Sequence, residues 1–127
     1  MRPGARVLLI DDEPDLRRLA EVSLRAVGGW TVVACASGAA GVEAALFEVP
    51  DVILLDVQMP GLDGPGTLAA LRAHPSLAEV PVVFLTATQD PGDLARLRAL
   101  GAQGVVRKPF DPYTLPNQVL AALGAEA

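Results

Sequence analysis

Val52-Ile53-Leu54-Leu55-Asp56-Val57-Gln58-Met59-Pro60-Gly61 decides the fold. Four apolar residues run without interruption, an acid follows them, and Pro60-Gly61 stops any regular structure. A strand with one wet face alternates apolar and polar side chains, whereas this run has the character of a strand covered on both sides. Similar runs recur at Val7 to Ile10, Thr31 to Ala34, Val82 to Leu85 and Val105 to Val106, so five strands are predicted. Between them the apolar residues take helical spacing. Leu16, Leu19, Ala20, Leu24 and Val27 form one stripe, and Val42, Ala45, Leu46 and Val49 a second. A shorter helix falls around Leu68 and Leu71, another carries Leu94, Leu97 and Leu100, and the last carries Leu115, Val119, Leu120 and Leu123.

Boundary residues agree with this alternation. Glu13-Pro14, Asp90-Pro91 and Asp111-Pro112 each place an acid before a proline, which suits a helix start: proline presets the first turn and the acid caps it or meets the positive dipole end. Gly28 and Gly101 stand where helices should stop. Strict β-α alternation with right-handed crossovers implies an α/β fold with a doubly wound parallel sheet. There is no internal repeat, low-complexity tract or linker.

The chain has 127 residues, enough for one core and too few for two, so a single domain over residues 1–124 with a short tail at 125–127 is expected. Hydrophobic residues make up 51% and charged residues 20%, which gives ample material for a buried sheet and argues against disorder. Aromatics are only 4%, leaving Val, Leu, Ile and Ala to fill the core. A formal net charge of −5 without clustered basic residues argues against direct nucleic-acid binding. Cys35 is the only cysteine, so no internal disulfide is available, and its thiol reads as a small core side chain. With neither a secretory signal nor an apolar run near the ~20 residues that span a bilayer, a soluble cytoplasmic protein without membrane contact is expected.

Five polar residues end the predicted strands. Asp11 and Asp12 follow strand 1, Asp56 strand 3, Thr86 strand 4 and Lys108 strand 5. In a parallel sheet all strand C-termini open on one rim, where ligands bind. The chemistry is complementary. Two carboxylates about 4 Å apart repel by roughly 4 kcal/mol near a protein surface, and a third adds to this. A hard divalent cation offsets the repulsion, and carboxylate, carbonyl and water oxygens are the ligands magnesium prefers. Lys108, the only lysine among ten basic residues, can pair with a phosphoryl oxygen, and the Thr86 hydroxyl can donate to another. Each residue alone has a plainer reading: Asp11-Asp12-Glu13-Pro14 as a helix N-terminus, Asp56 as a turn opener, Thr86 as a cap, Lys108 as a solvated side chain. Five such coincidences on one rim are harder to accept than one site. His74 before Pro75 lacks the neighbours of a transition-metal site, Trp30 reads as packing at the edge of strand 2, and the glycines at 61, 64 and 66 lack the pattern of a nucleotide-phosphate loop.

These residues carry a family resemblance. The pieces are Leu8-Leu9-Ile10-Asp11-Asp12-Glu13, Leu54-Leu55-Asp56-Val57-Gln58-Met59-Pro60-Gly61-Leu62-Asp63-Gly64, Leu85-Thr86-Ala87, and Gly101-Ala102 leading to Lys108-Pro109-Phe110. In this order the chain resembles the receiver domain of two-component response regulators, of the chemotaxis-regulator kind. The resemblance implies a flavodoxin-like five-stranded sheet of order 2-1-3-4-5 with five helices. It implies that Asp56 is the phosphoacceptor, that Asp12, Asp56 and the Gln58 carbonyl bind Mg2+ directly with Asp11 acting mainly through water, and that Thr86 and Lys108 grip the phosphoryl group. A cis Lys108-Pro109 bond is implied too. The implied partners are a sensor histidine kinase or histidine phosphotransfer protein upstream, a protein target or effector domain downstream, and a homodimer as a further option. Gln58 and Thr88 match positions that influence how long the aspartyl phosphate lasts.

Departures from the family pattern bear on the output. Three positions before the lysine the family usually has Tyr or Phe, and here Val105 has no ring to swing inward, so signalling through movement of helix 4 or a changed dimer contact is the expectation. Pro65-Gly66 opens helix 3, and Pro116 in the first turns of helix 5 should cost a backbone hydrogen bond. Helix 5 has no charge from Tyr113 to Leu123, which leaves charged dimer contacts through helices 4 and 5 incomplete. Two rivals to a phosphorylation switch follow: a passive interaction module on the same fold, and a magnesium phosphatase using an acid pair after strand 1. The second needs an Asp two residues after Asp12, where Pro14 stands.

Overall fold

The computed structural model describes residues 1–124. Five parallel strands, β1 (Arg6–Ile10), β2 (Thr31–Cys35), β3 (Val52–Asp56), β4 (Val82–Thr86) and β5 (Gly104–Arg107), form one sheet in the order β2-β1-β3-β4-β5. Five helices alternate with them: α1 (Pro14–Ala26), α2 (Gly38–Phe47), α3 (Gly64–Arg72), α4 (Pro91–Ala99) and α5 (Leu115–Ala122). This is the flavodoxin-like arrangement. The 125–127 tail lies outside the described residues.

β3 and β4 are buried along their whole length, as their unbroken apolar runs require. Alternate residues feed two cores. Leu9, Leu54, Val83 and Val106 pack with Ala20 and Leu24 of α1 and with Leu115 and Val119 of α5. Ile10, Ile53, Leu55 and Phe84 pack with Ala45, Leu71 and Leu97 of α2, α3 and α4. β2 is an edge strand, and the Arg25 guanidinium donates to its Val32 carbonyl at 2.7 Å, which blunts the open edge.

Several boundaries differ from expectation. Asp56 and Thr86 are the last residues of their strands rather than the first beyond them, which fixes both backbones in the sheet ladder. Asp90 caps α4 by accepting the Asp93 N–H at 3.1 Å, but Glu13 makes no side-chain cap. Asp111 does not cap α5; its carboxylate accepts the Tyr113 N–H at 2.8 Å in a preceding turn, and the helix begins at Leu115. Pro116 therefore sits in the first turn, where an N–H has no helical partner, so the expected loss of a hydrogen bond does not occur. The Pro112 carbonyl, four residues back, instead accepts the Ser23 hydroxyl and ties α5 to α1. Pro65 likewise lies in the first turn of α3, where Asp63 accepts the Gly66 N–H at 2.8 Å. Neither helix is broken. After α1 the left-handed residue is Gly29, φ 72°, not Gly28, and an unforeseen 3-10 turn spans Pro75–Leu77. The helical stripes are narrower than predicted, with Leu19, Val27, Leu46, Val49 and Leu100 exposed.

Candidate functional site: an acidic pocket at the strand ends

All five strand-end residues meet. Carboxylate oxygens of Asp11, Asp12 and Asp56 lie within 4.8 Å of one another. Lys108 Nζ bridges two of them, 3.0 Å from Asp11 Oδ2 and 3.1 Å from Asp56 Oδ1. Asp12, Asp56, Gln58, Thr86 and Lys108 line an open cavity of about 640 Å³, whereas Asp11 sits behind it, almost wholly buried.

Each side chain is placed by its strand. Asp11 is held by its own N–H on the Cys35 carbonyl at 3.1 Å, by its carboxylate accepting the Glu13 N–H at 2.9 Å, and by the Arg17 guanidinium on its carbonyl at 2.9 Å. The Lys108 N–H donates to the Thr86 carbonyl at 2.8 Å, joining the ends of β4 and β5, and the Lys108-Pro109 bond is cis. The Thr86 hydroxyl oxygen accepts the Thr88 N–H at 3.1 Å, leaving its proton free to donate.

The charges are unbalanced in favour of the acids. Burial, and then the Asp11 carboxylate, push the Asp56 carboxyl up from 3.8 to about 6 against the pull of Lys108. Burial works against the Lys108 ammonium, but hydrogen bonds and charge from Asp11 and Asp56 outweigh it and raise its pKa above 10.5. At neutral pH Asp56 is thus ionised yet more basic than an ordinary aspartate, as suits a carboxylate nucleophile. Three hard oxygen donors around a net negative pocket could hold a divalent cation.

Some of the site escaped the sequence. Glu13 and Leu16 line the cavity as well. Glu13 reads as a helix-start acid in sequence, and nothing there shows that the first turn of α1 leans over the pocket. Gly64 carries a hidden constraint: a Cβ there would lie 2.6 Å from the Asp56 carbonyl oxygen and 2.7 Å from Val57 Cα. Only glycine lets α3 start against the end of β3. Its spacing after Asp56 carries the only signal, through the family resemblance. Val105 is half-buried on β5, opposite Phe84 of β4, whose ring is fully buried in the second core.

Comparison with known proteins identifies this architecture. The profile of the response regulator receiver domain matches residues 7–120. The chemotaxis protein CheY4 of Vibrio cholerae superposes with a TM-score of 0.87 at 31% identity, over 94% of this chain and 99% of that one. The receiver domain of a Pseudomonas aeruginosa sensor histidine kinase, solved with magnesium in its active-site cleft, gives 0.83 at 30% identity over 96% and 99%. A nitrate/nitrite response regulator homologue of Haemophilus influenzae is 38% identical over 94% of this chain and 57% of its own length. The DNA-binding response regulator MtrA of Mycolicibacterium smegmatis is 36% identical over 93% and 50%. The fold and its acidic strand-end pocket are those of a signalling receiver rather than of a classical enzyme. The chain belongs to the response regulator receiver family of two-component signal transduction, and it spans about half the length of the curated relatives it matches. Among the described residues no helix is long and apolar enough to cross a membrane.

Proposed function

We propose that Asp56 accepts a phosphoryl group from the phosphohistidine of a sensor histidine kinase or phosphotransfer protein, and that the chain signals by the resulting change of shape. The observation that carries this reading is the Asp56 carboxylate at the strand end, buried beside Asp11 and bridged by the one lysine. An Asp56 oxygen attacks phosphorus in line; the P–O bond forms, the P–N bond breaks, and the leaving imidazole keeps the electron pair and takes up a proton. Lys108 meets the growing charge on the phosphoryl oxygens, and Thr86 donates its free hydroxyl proton to one of them. Asp11, Asp12, Asp56 and the Gln58 carbonyl are the groups that would hold Mg2+. Bound there, Mg2+ supplies positive charge to the phosphoryl oxygens during transfer. Hydrolysis of the aspartyl phosphate by water returns the resting state, so the chain assists its own phosphorylation and dephosphorylation without turning over an external substrate.

The receiver unit is taken as residues 1–124. Output passes to a protein target or an attached effector domain in the cytoplasm, with a homodimer as one route. The net charge of −5 speaks against direct contact with nucleic acid. Intact mass after incubation with Mg2+ and acetyl phosphate tests the reading. A Mg2+-dependent gain of one phosphoryl group in the wild type but not in Asp56→Asn is expected; equal gain in both would overturn it.

A further inference from the structure

A polar chain that the acceptor chemistry does not use ties Thr86 to α4. Thr88 donates its N–H to Thr86 Oγ1 at 3.1 Å and its hydroxyl proton to Asp93 Oδ2 at 3.1 Å, while Thr88 Oγ1 accepts the Asp90 N–H at 3.3 Å. Asp90 Oδ2 accepts the Asp93 N–H at 3.1 Å, and Asp93 pairs with Arg96 one turn further along α4. The connection runs without a gap from a buried hydroxyl at the end of β4 into the body of α4.

Little else fastens this helix. Leu97 is the only buried residue of α4. Beside it lies a cavity of about 550 Å³ bordered by Gln58, Thr86, Thr88, Asp93 and Leu97, so the helix has space to move into. An element with few buried apolar contacts is held in large part by its polar ones. On β5 the half-buried Val105 has no polar atom in its side chain with which to follow Thr86. Thr86 receives the Thr88 N–H through a lone pair, so its own proton can go to a phosphoryl oxygen while the link to Thr88 stays intact.

We propose that Thr88 and Asp93 are positioning residues for Thr86: they hold its hydroxyl and the start of α4 as one unit, so that drawing Thr86 toward a modified Asp56 carries α4 with it. The inference rests on the reading of Asp56 as the acceptor. Coupling of this kind is reciprocal, so a partner seated on α4 would in turn change how readily Asp56 is modified.

The test uses the 127-residue chain as wild type, Thr88→Ser, Thr88→Val and Asp93→Ala. Backbone amide NMR spectra are recorded with Mg2+ alone and with Mg2+ plus beryllium fluoride as the phosphoryl stand-in, beside the rate of phosphorylation by acetyl phosphate. Mg2+ alone should shift the amides beside Asp56 in all four proteins, which shows that each is folded with an intact acidic pocket. Beryllium fluoride should then shift the amides of residues 91–99 in wild type and Thr88→Ser. In Thr88→Val and Asp93→Ala that α4 response should be weaker by about fivefold or more, with a phosphorylation rate lowered to match. An α4 response and a rate in Thr88→Val equal to those of the wild type would overturn the proposal, since valine keeps the shape and loses only the hydroxyl. A wild type that gains no phosphoryl group and shows no response to beryllium fluoride beside Asp56 would overturn the acceptor reading, and the coupling with it.

Discussion

Replacing Asp56 by asparagine should stabilise the metal-free protein, although it removes the residue on which function depends. Burial and Asp11 raise the Asp56 pKa from 3.8 to about 6, and a rise of that size corresponds to about 3 kcal/mol by which the folded state disfavours the ionised form. The cavity opens to water, so screening reduces this to about 1–2 kcal/mol. Because the folded state binds this proton more tightly than the unfolded chain, the Asp56 contribution to stability falls as pH rises from 3.8 to about 6 and stays at its lowest above that. Asparagine has no such slope, and Lys108 keeps its pairing with Asp11. Urea unfolding at pH 4, 5, 6 and 7 in EDTA measures the difference. The Asn variant should match wild type near pH 4 and exceed it by about 1–2 kcal/mol at pH 7, with an unchanged m-value. Millimolar Mg2+ should close or reverse the gap, because it binds only the folded wild-type carboxylate cluster with full strength. A variant no more stable than wild type at pH 7 in EDTA, or a difference that ignores pH, would refute the electrostatic argument.

Other consequences follow from the same contacts. Lys108→Met leaves Asp11 and Asp56 without their shared cation; a loss of about 2 kcal/mol at pH 7 is expected, recovered as pH falls and Asp56 takes up a proton, as urea unfolding across pH would show. Gly64→Ala forces a methyl against the Asp56 carbonyl and should cost on the order of 2 kcal/mol in thermal unfolding while slowing phosphorylation. Ser23→Ala strands the Pro112 carbonyl between α1 and α5; about 1 kcal/mol of stability should go, with phosphorylation by acetyl phosphate kept.

The sheet was legible because β3 and β4 are buried on both faces, so their sequences carry no competing period. The acidic pocket was legible for a topological reason: parallel strands bring Asp11, Asp12, Asp56, Thr86 and Lys108 to one rim whatever the helices do. Helix faces were less readable. Leu19, Leu46 and Leu100 keep helical spacing but sit at the borders of narrow contact stripes, and spacing alone does not say how wide a stripe the sheet covers. The start of α5 was misplaced because Asp111-Pro112 opens a turn whose bonds resemble the first turn of a helix. Gly64 and Glu13 act through contacts between segments, which a local pattern does not encode.

The central claim is that Asp56, and no other carboxylate of the cluster, takes the phosphoryl group. Borohydride reduction of the phosphorylated chain followed by peptide mass mapping tests it most directly, because an aspartyl phosphate is reduced to homoserine at the position it occupied. Homoserine at position 56, formed only when Mg2+ was present during phosphorylation, is the predicted result. Homoserine at position 11 or 12, or its absence from a chain that has gained a phosphoryl group, would contradict the account.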